Sequence, residues 1–315
     1  MNELNFCGID VAKRSFVVGI NSRKQTKTFT HNPKGIQQAV EYLKQCANLS
    51  LIVLESTGGL EIPLAKALYR ADFRVVIANP RQTHQFAMSK SLAKTDTKDA
   101  KMLASYAKML LLDGEVEKQL YVPPTPEMEQ LEALVLRRTQ LVEMRVAEKN
   151  RLHQVHESQV ESVQQLIAHF DRLIDELEKQ INQVSTAFDE TLKKFNDIKG
   201  IGTITSATLM SMLPELGKLN HKQIASLVGV APHPKESGSQ KWHSRCSGGR
   251  LAVRNVLYNA ANVARQHEPK FKAFYERLIA RGKPFKVAVN ACMRKLLTVI
   301  NAIVRDGSQW QANAI

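Results

Sequence analysis

Val160, Val163, Ile167, Phe170, Ile174, Leu177, Ile181, Val184, Phe188 and Phe195 follow one another in alternating steps of three and four, and only Thr191 breaks the series. Apolar residues at that period line one side of a helix and form a coiled-coil seam. A weaker series precedes them: Leu131, Leu134, Leu141, Leu152 and Val155, interrupted by Arg138, Arg145 and Glu148. Two long helices are expected. They either fold back on each other around residues 156–160 or pair with a second subunit, and the sequence leaves both open. A Pro-rich break, "YVPPTPEM" at 121–128, precedes them and marks a domain boundary. The expected division is therefore 1–122, a helical region 123–196, and 197–315.

The first part reads as mixed α/β. "NFCGID" and "RSFVVGIN" are short apolar runs separated by a turn, and "KQTKTFTHN" is placed to pair as a third strand. Residues 34–47 carry Ile36, Ala39, Val40, Leu43 and Ala47 at helical spacing. "SLIVLEST" and "FRVVIANP" are further strands, the latter stopped by Pro80, with a helical pattern between them. Asp96 to about Leu112 reads as helix. The last part reads as mostly helical.

The formal net charge of this 315-residue chain is +14. From residue 231 onward there are fifteen Lys and Arg against Glu236, Glu268, Glu276 and Asp306. A positive charge concentrated in this way suits a polyanion such as nucleic acid. Cys7, Cys46, Cys246 and Cys292 are scattered without zinc spacing, as expected of free thiols in a reducing cytosol. The N-terminus lacks a signal pattern, and no apolar run approaches the ~18 residues of a membrane helix. A cytoplasmic, nucleoid-associated protein with no membrane partner is expected.

Four carboxylates stand where chemistry is expected. Asp10, within "GIDVAK", ends the first strand between apolar neighbours, where an acid costs desolvation unless a cation or donor meets it. Glu55 ends "LIVLE" at the turn "STGG". Carboxylates at strand ends converge at the mouth of an α/β fold. Asp96 and Asp99, within "AKTDTKDAKML", lie one helical turn apart among Lys94, Lys98 and Lys101. Together they form an oxygen-donor set suited to Mg²⁺, and two such ions flank a phosphodiester in two-metal catalysis. Mn²⁺ is the expected substitute. Each acid also has a plain structural reading: a strand end, a turn bond, a helix cap, a lysine pair. The lysines offset carboxylate repulsion or face phosphate.

"GIDVAK", "LESTGG" and "KTDTKDA" resemble the three signature segments of the DEDD-type insertion-sequence transposases, the Piv/MooV-like family. The N-terminal domain of that family resembles the RuvC resolvases, with a ribonuclease-H-like fold. "DIKGIGTITSATLMS", "IASLVGVAPHPKESGS" and "GGRLAVRNVLYNAA" resemble its second domain, in order, with a coiled coil between. The resemblance implies a metal-binding tetrad of Asp10, Glu55, Asp96 and Asp99, and a nucleophilic serine at Ser237, paired with Gly238. It implies a transposase or site-specific recombinase acting on donor and target double-stranded DNA through a covalent phosphoserine–DNA intermediate. An element-encoded bridge RNA and a homo-oligomer, dimer or tetramer, are implied as partners.

Read without the resemblance, "HPKESGSQKWHSRCSGGR" is a polar Gly/Ser loop, and turn chemistry accounts for its serines. A serine hydroxyl needs activation to attack phosphorus, and no Ser–His–Asp order is present. Lys199, Gly200 and Gly202 of "KGIG" resemble a backbone-gripping hairpin whose glycines allow close approach. Lys241, Arg245, Arg250 and Arg254 are candidate phosphate contacts. Two other functions fit parts of the pattern: a metal-dependent junction nuclease working by hydrolysis, and a non-catalytic nucleic-acid scaffold.

Overall fold

"NFCGIDV" and "SFVVGI" form β1 (Asn5–Val11) and β2 (Ser15–Ile20), an antiparallel pair in which Gly8 lies opposite Gly19 and Asp10 opposite Val17. β3 (Lys27–Thr30) adds antiparallel to β2. β4 (Leu49–Glu55) and β5 (Val75–Ala78) add in parallel on the other side, giving the order β3-β2-β1-β4-β5. This is a computed structural model. It describes residues 4–90, 96–114, 116–188, 190, 192, 194, 197–237, 240–246 and 248–310, with the backbone alone at 90, 96–98, 118, 233–237 and 240–245. Met1–Pro123 and Pro124–Ile315 form separate compact units.

Side chains alternate across a strand, so the sheet feeds two cores. Cys7, Ile9, Val11, Ile52 and Leu54 pack with α1 (Pro33–Lys44) and α2 (Ile62–Arg70) through Ile36, Leu43, Leu64 and Leu68. Phe6, Leu51, Val53, Val76 and Ala78 pack with Leu103, Tyr106, Ala107 and Leu110 of α4 (Asp96–Leu112). Burial on both faces explains why β4 reads as a continuous apolar run. α1 is started by Asn32, whose Oδ1 accepts from the Gly35 N–H at 2.8 Å, with Pro33 at its first position. Pro80 does more than stop β5. It opens α3 (Pro80–Lys90), a helix absent from the sequence pattern, because proline is tolerated in a first helical turn.

In the second unit, Thr125 caps α5 (Pro126–Leu152) by accepting from the Met128 N–H, with Pro126 at the first position. α5 packs along α6 (Val160–Ser185) within one chain. Two of the residues that interrupt the weaker seam tie the pair together: Arg138 to Glu178 and Arg145 to Asp171, both at 2.6 Å. Val163, Ile174 and Ile181 are buried, whereas Ile167, Phe170 and Leu177 stay partly exposed.

The remaining core is built by α7 (Thr203–Met212), α8 (His221–Val228), α9 (Leu251–His267), α10 (Pro269–Ala280) and α11 (Phe285–Asp306). Between α8 and α9 the expected loop is instead a ribbon, β6 (His233–Ser237) paired antiparallel with β7 (Gln240–Arg245). α11 has mean hydropathy 1.5, long and apolar enough by composition to cross a membrane, contrary to the reading that no run comes near that length. Half of that stretch is buried, and Val289, Cys292, Leu296, Leu297 and Ile300 make it the core helix of this unit.

Candidate active site

Asp10 and Glu55 are brought together by strand register. Ile9 lies beside Leu54 in the parallel β1–β4 pair, so the next residues, Asp10 and Glu55, are neighbours at two adjacent strand ends. Asp10 shares its face with Phe6 and Gly8, and Glu55 shares its face with Leu51 and Val53. That face is the one α4 covers. A Cβ at Gly8 would stand 2.2 Å from the Ala100 carbonyl oxygen and 2.4 Å from the Ala104 nitrogen, so α4 lies with its backbone against β1. α4 follows β5 and α3, and the chain beyond it returns to the start of β5. There the Tyr121 N–H donates to the Val75 carbonyl at 2.7 Å and Arg74 pairs with Glu117. α4 thus runs against the direction of β1. One pleat beyond Gly8 is Asp10, while Asp99 and Asp96 come one and four residues before Ala100. The first turn of α4, which bears Asp96 and Asp99, therefore lies toward the end of the sheet where β1 and β4 finish.

Glu55 is oriented from α3: its Oε2 accepts from the Thr83 hydroxyl at 2.6 Å, and Thr83 is fully buried. The turn after Glu55 is organised by another carboxylate. Glu61 is buried and accepts from the Ser56 hydroxyl at 3.1 Å and from the Thr57 and Gly59 N–H groups at 2.9 and 3.0 Å. The lysine of "AKTDTKDAKML" that is described, Lys101, donates to the Arg23 carbonyl. It therefore ties α4 to the β2–β3 connection.

The donor chemistry here is all carboxylate, which fits a hard divalent cation. A ligand carboxylate held from outside by a hydroxyl is also how metal sites fix ligand orientation, and Thr83 supplies that hold. Asp10, Glu55 and Asp99 are all described, and among the described residues no three His, Cys, Asp or Glu stand close enough to bind an ion, so these three are not gathered into the expected metal set; the Asp96 side chain lies outside the described residues.

Ser237 is the last residue of β6, opposite Gln240, at the turn end of the ribbon. Its side chain, like those of Lys241 and Arg245, lies outside the described residues. Arg250 is turned inward: its guanidinium grips both Glu215 oxygens, at 2.5 and 2.6 Å, and donates to the Met212 carbonyl at 3.0 Å. Arg254 donates to the Gly248 carbonyl at 3.0 Å. Lys199 is exposed. Gly200, at φ +100°, comes so close to α9 that a Cβ would stand 2.5 Å from the Ala260 carbonyl oxygen. Its close approach is to the protein's own backbone. Gly202, at the start of α7, has open space around it.

A second group of cations gathers on α9, α10 and α11. Arg265 lies over Tyr275 and Phe285, at 4.8 and 5.2 Å, while Lys295 and Arg277 lie over Phe274, at 4.6 and 5.4 Å. Burial, then Arg277, lower the Lys295 ammonium below its ordinary range, with Lys270 adding to the effect and Cys292 opposing it.

Transposases of the DEDD, IS110 type match residues 7–158, which contain Asp10, Glu55, Asp96 and Asp99. The transposase family named IS116/IS110/IS902 matches 192–276, which contains the ribbon with Ser237. The chain belongs to the IS110-type transposase family. It is an enzyme of DNA strand cleavage and rejoining. This transposase is 28% identical over 315 residues to the pilin gene-inverting proteins of Moraxella bovis and Moraxella lacunata, covering 96% of each chain. It is 26% identical over 138 residues to the uncharacterized 43.6 kDa protein of insertion element IS110 from Streptomyces coelicolor, covering 43% of this chain and 34% of that one.

Several residues around the candidate site carry no motif. Thr83 and Glu61 are visible only once α3 and the "STGG" turn are placed. Gly8 had a signal, a glycine two residues before Asp10 in an otherwise apolar strand, which marks a close backbone approach.

Proposed function

We propose that this transposase excises and inserts a mobile element by strand transfer through Ser237. What supports the reading is the neighbouring of Asp10 and Glu55 at adjacent strand ends on the sheet face that α4, the helix bearing Asp96 and Asp99, covers. In this reading the four acids hold Mg²⁺, as a two-ion site, at the end of a ribonuclease-H-like sheet. Divalent cations there supply Lewis-acid polarisation of the scissile phosphate. Thr83 keeps Glu55 in place. Ser237 Oγ attacks phosphorus: a serine O–P bond forms, the P–O3′ bond breaks, and the released 3′ oxygen takes a proton. A 3′ hydroxyl from the partner strand then attacks the phosphoserine, restoring the serine and a phosphodiester without net hydrolysis.

An element-encoded RNA pairs with donor and target DNA in this scheme. The cations over Phe274, Tyr275 and Phe285 are suited to hold nucleic-acid backbone. Exposed Leu136, Met144, Val146 and Leu166 on the α5–α6 pair favour assembly of a dimer or tetramer through that region. A second reading, inversion of a DNA segment, is favoured by the full-length similarity to the two pilin gene-inverting proteins.

The test is trapping in SDS of a protease-sensitive protein–DNA adduct on duplex carrying the element ends, with Mg²⁺ and RNA transcribed from the flanking DNA. S237A should lose the adduct and recombination together. Cleavage that survives in S237A without an adduct identifies a hydrolytic nuclease instead. D10N should abolish Mg²⁺-dependent cleavage, and unchanged cleavage would show that Asp10 holds no catalytic metal; absence of any cleavage or adduct in the wild-type protein would leave the scaffold reading.

A further inference from the structure

The ribbon that carries Ser237 is a two-stranded hairpin, and such a hairpin has little rigidity of its own in water. Its direction is set where its two legs enter the helical core. Four features meet there. α8 ends in Gly229 at φ +79°, and the second leg returns through Gly248 and Gly249 at φ +68° and +81°. The legs touch backbone to backbone: a Cβ at Gly229 would stand 2.2 Å from the Gly248 carbonyl oxygen, and one at Gly249 would stand 2.3 Å from the Val228 carbonyl carbon. Arg254 holds the Gly248 carbonyl from α9, and Arg250 fastens the start of α9 to Glu215 and Met212.

The fourth feature joins the two legs through one side chain. Asn290, on α11, donates from Nδ2 to the Val230 carbonyl at 3.0 Å on the first leg and to Cys246 Sγ at 3.4 Å on the second. Val230 is fully buried and α11 is the core helix of this unit. The root is therefore tied to the core helix of this unit.

We propose that Asn290 is a positioning residue that fixes the root of the ribbon and thereby sets where Ser237 meets the scissile phosphate. The inference rests on Ser237 being the nucleophile. The argument is one of leverage. Seven residues, the last five of them strand, lead from Val230 to Ser237, up to about 23 Å at ~3.3 Å per residue if fully extended. A tilt of about 10° at the root then moves Ser237 by about 4 Å, and a displacement near 1 Å costs on the order of 10²-fold in an oriented reaction.

Asn301 on the same helix is a built-in control. It bridges in the same way, accepting from the Gly217 N–H at 2.8 Å and donating to the Leu219 carbonyl at 2.9 Å, but it ties down the α7–α8 connection. The full-length protein is assayed as above for adduct formation, alongside duplex affinity, thermal midpoint, and the alkylation rate of exposed Cys246 by N-ethylmaleimide. N290A should slow adduct formation by roughly 30- to 100-fold, leave duplex affinity within about twofold, and raise Cys246 alkylation several-fold. N290Q keeps an amide donor and should fall between N290A and wild type on both readouts. N301A should lower the thermal midpoint at least as much, with adduct formation within about threefold of wild type.

The proposal is overturned if N290A alkylates faster at Cys246 yet forms adduct at the wild-type rate. It is equally overturned if N301A slows adduct formation as much as N290A, since general loosening of the domain then suffices. Should N290A not fold, N290Q decides: a wild-type adduct rate with raised Cys246 reactivity overturns the proposal. If S237A forms adduct normally, the reading of Ser237 itself fails, whatever Asn290 does.

Discussion

Replacing Gly8 with alanine tests whether α4 is the helical half of the active site. The added Cβ would stand 2.2 Å from the Ala100 carbonyl oxygen, against 3.4 Å for ordinary contact, so α4 must rise from the sheet by about 1.2 Å. Two effects compete in stability. Removing a strand glycine gains about 0.5–1 kcal/mol through the unfolded chain, while overpacking a close contact costs about 1–3 kcal/mol. The obstacle is helix backbone, not a flexible side chain, so the cost sits at the upper end and the net is about 2 kcal/mol of destabilisation. At about 4 °C per kcal/mol that lowers the thermal midpoint by about 8 °C, leaving the protein folded at 25 °C. Catalysis should suffer more. Raising α4 by about 1 Å moves Asp96 and Asp99 away from Asp10 and Glu55, for a loss on the order of 10²-fold. Gly19→Ala is the graded comparison, because its Cβ would meet Ala100 and Lys101 backbone atoms at 2.9–3.1 Å, a shift of a few tenths of an ångström. It should cost less than about tenfold in rate. The assay is Mg²⁺-dependent cleavage of duplex carrying the element ends at 25 °C, beside calorimetric midpoints. Wild-type cleavage by folded G8A protein, or equal losses in the two variants, would refute the placement of the acids across the β1–α4 contact.

Arg250→Ala should destabilise the second unit by about 1–2 kcal/mol in urea unfolding. The bidentate pair with Glu215 is worth more than an isolated surface bridge, but both side chains are about a third exposed, at 34% and 33%. The salt dependence of duplex binding should not change, and a slope lower by about 1 would make Arg250 a phosphate contact instead. Among the thiols, exposed Cys246 should react first with Ellman's reagent, and Cys7 and Cys292 only on unfolding. Burial pushes the Cys292 thiol from the ordinary 9.0 up to about 11, against the opposing pull of Arg265 and Lys295. Below pH 9 both folded and unfolded forms keep the proton. Between pH 9 and 11 the unfolded chain releases it first, so stability falls as pH rises, by about 3 kcal/mol at the upper end. The unfolding midpoint of wild type minus that of C292A should therefore narrow across this range, and a flat difference would show that Cys292 is not held protonated.

Periodicity made the sheet and the long helices legible because burial on both faces or along one stripe leaves a repeating mark. The α3 helix left none. Its run "PRQTHQFAMSK" is polar on most sides, and proline opens helices as readily as it stops strands. The β6–β7 ribbon was hidden for a related reason: apart from Pro234 and Trp242 its residues are polar or charged, with no apolar alternation, so it looks like a loop. Arg250 and Arg254 illustrate a different limit. Spacing puts both on one helix face, but it cannot tell that Glu215, thirty-five residues earlier, waits beside one of them. Gly200 is similar. A glycine that permits close approach was legible, whereas the thing approached, α9 backbone, was not.

The two halves of the proposed chemistry are held in physically different ways. Asp10 and Glu55 sit on central strands of a sheet packed on both faces, and Asp99 on a helix pressed against it without intervening side chains at Gly8. Their relative positions follow from backbone packing, which tolerates little motion. Ser237 stands at the far end of a polar ribbon whose position is determined by a glycine contact, an arginine or two and one asparagine at its base. A nucleophile that must reach a phosphate, carry it as a covalent ester and release it to another strand benefits from an arm that is stiff in direction and attached at one place. In the proposed mechanism the acids need no such travel, since they would act on the phosphate where the DNA holds it. Substitutions in the first unit should therefore degrade metal dependence and every cleavage step together. Substitutions at the ribbon root should spare DNA and metal binding and slow the serine steps selectively, which makes the ratio of adduct formation to duplex affinity the quantity that separates the two classes.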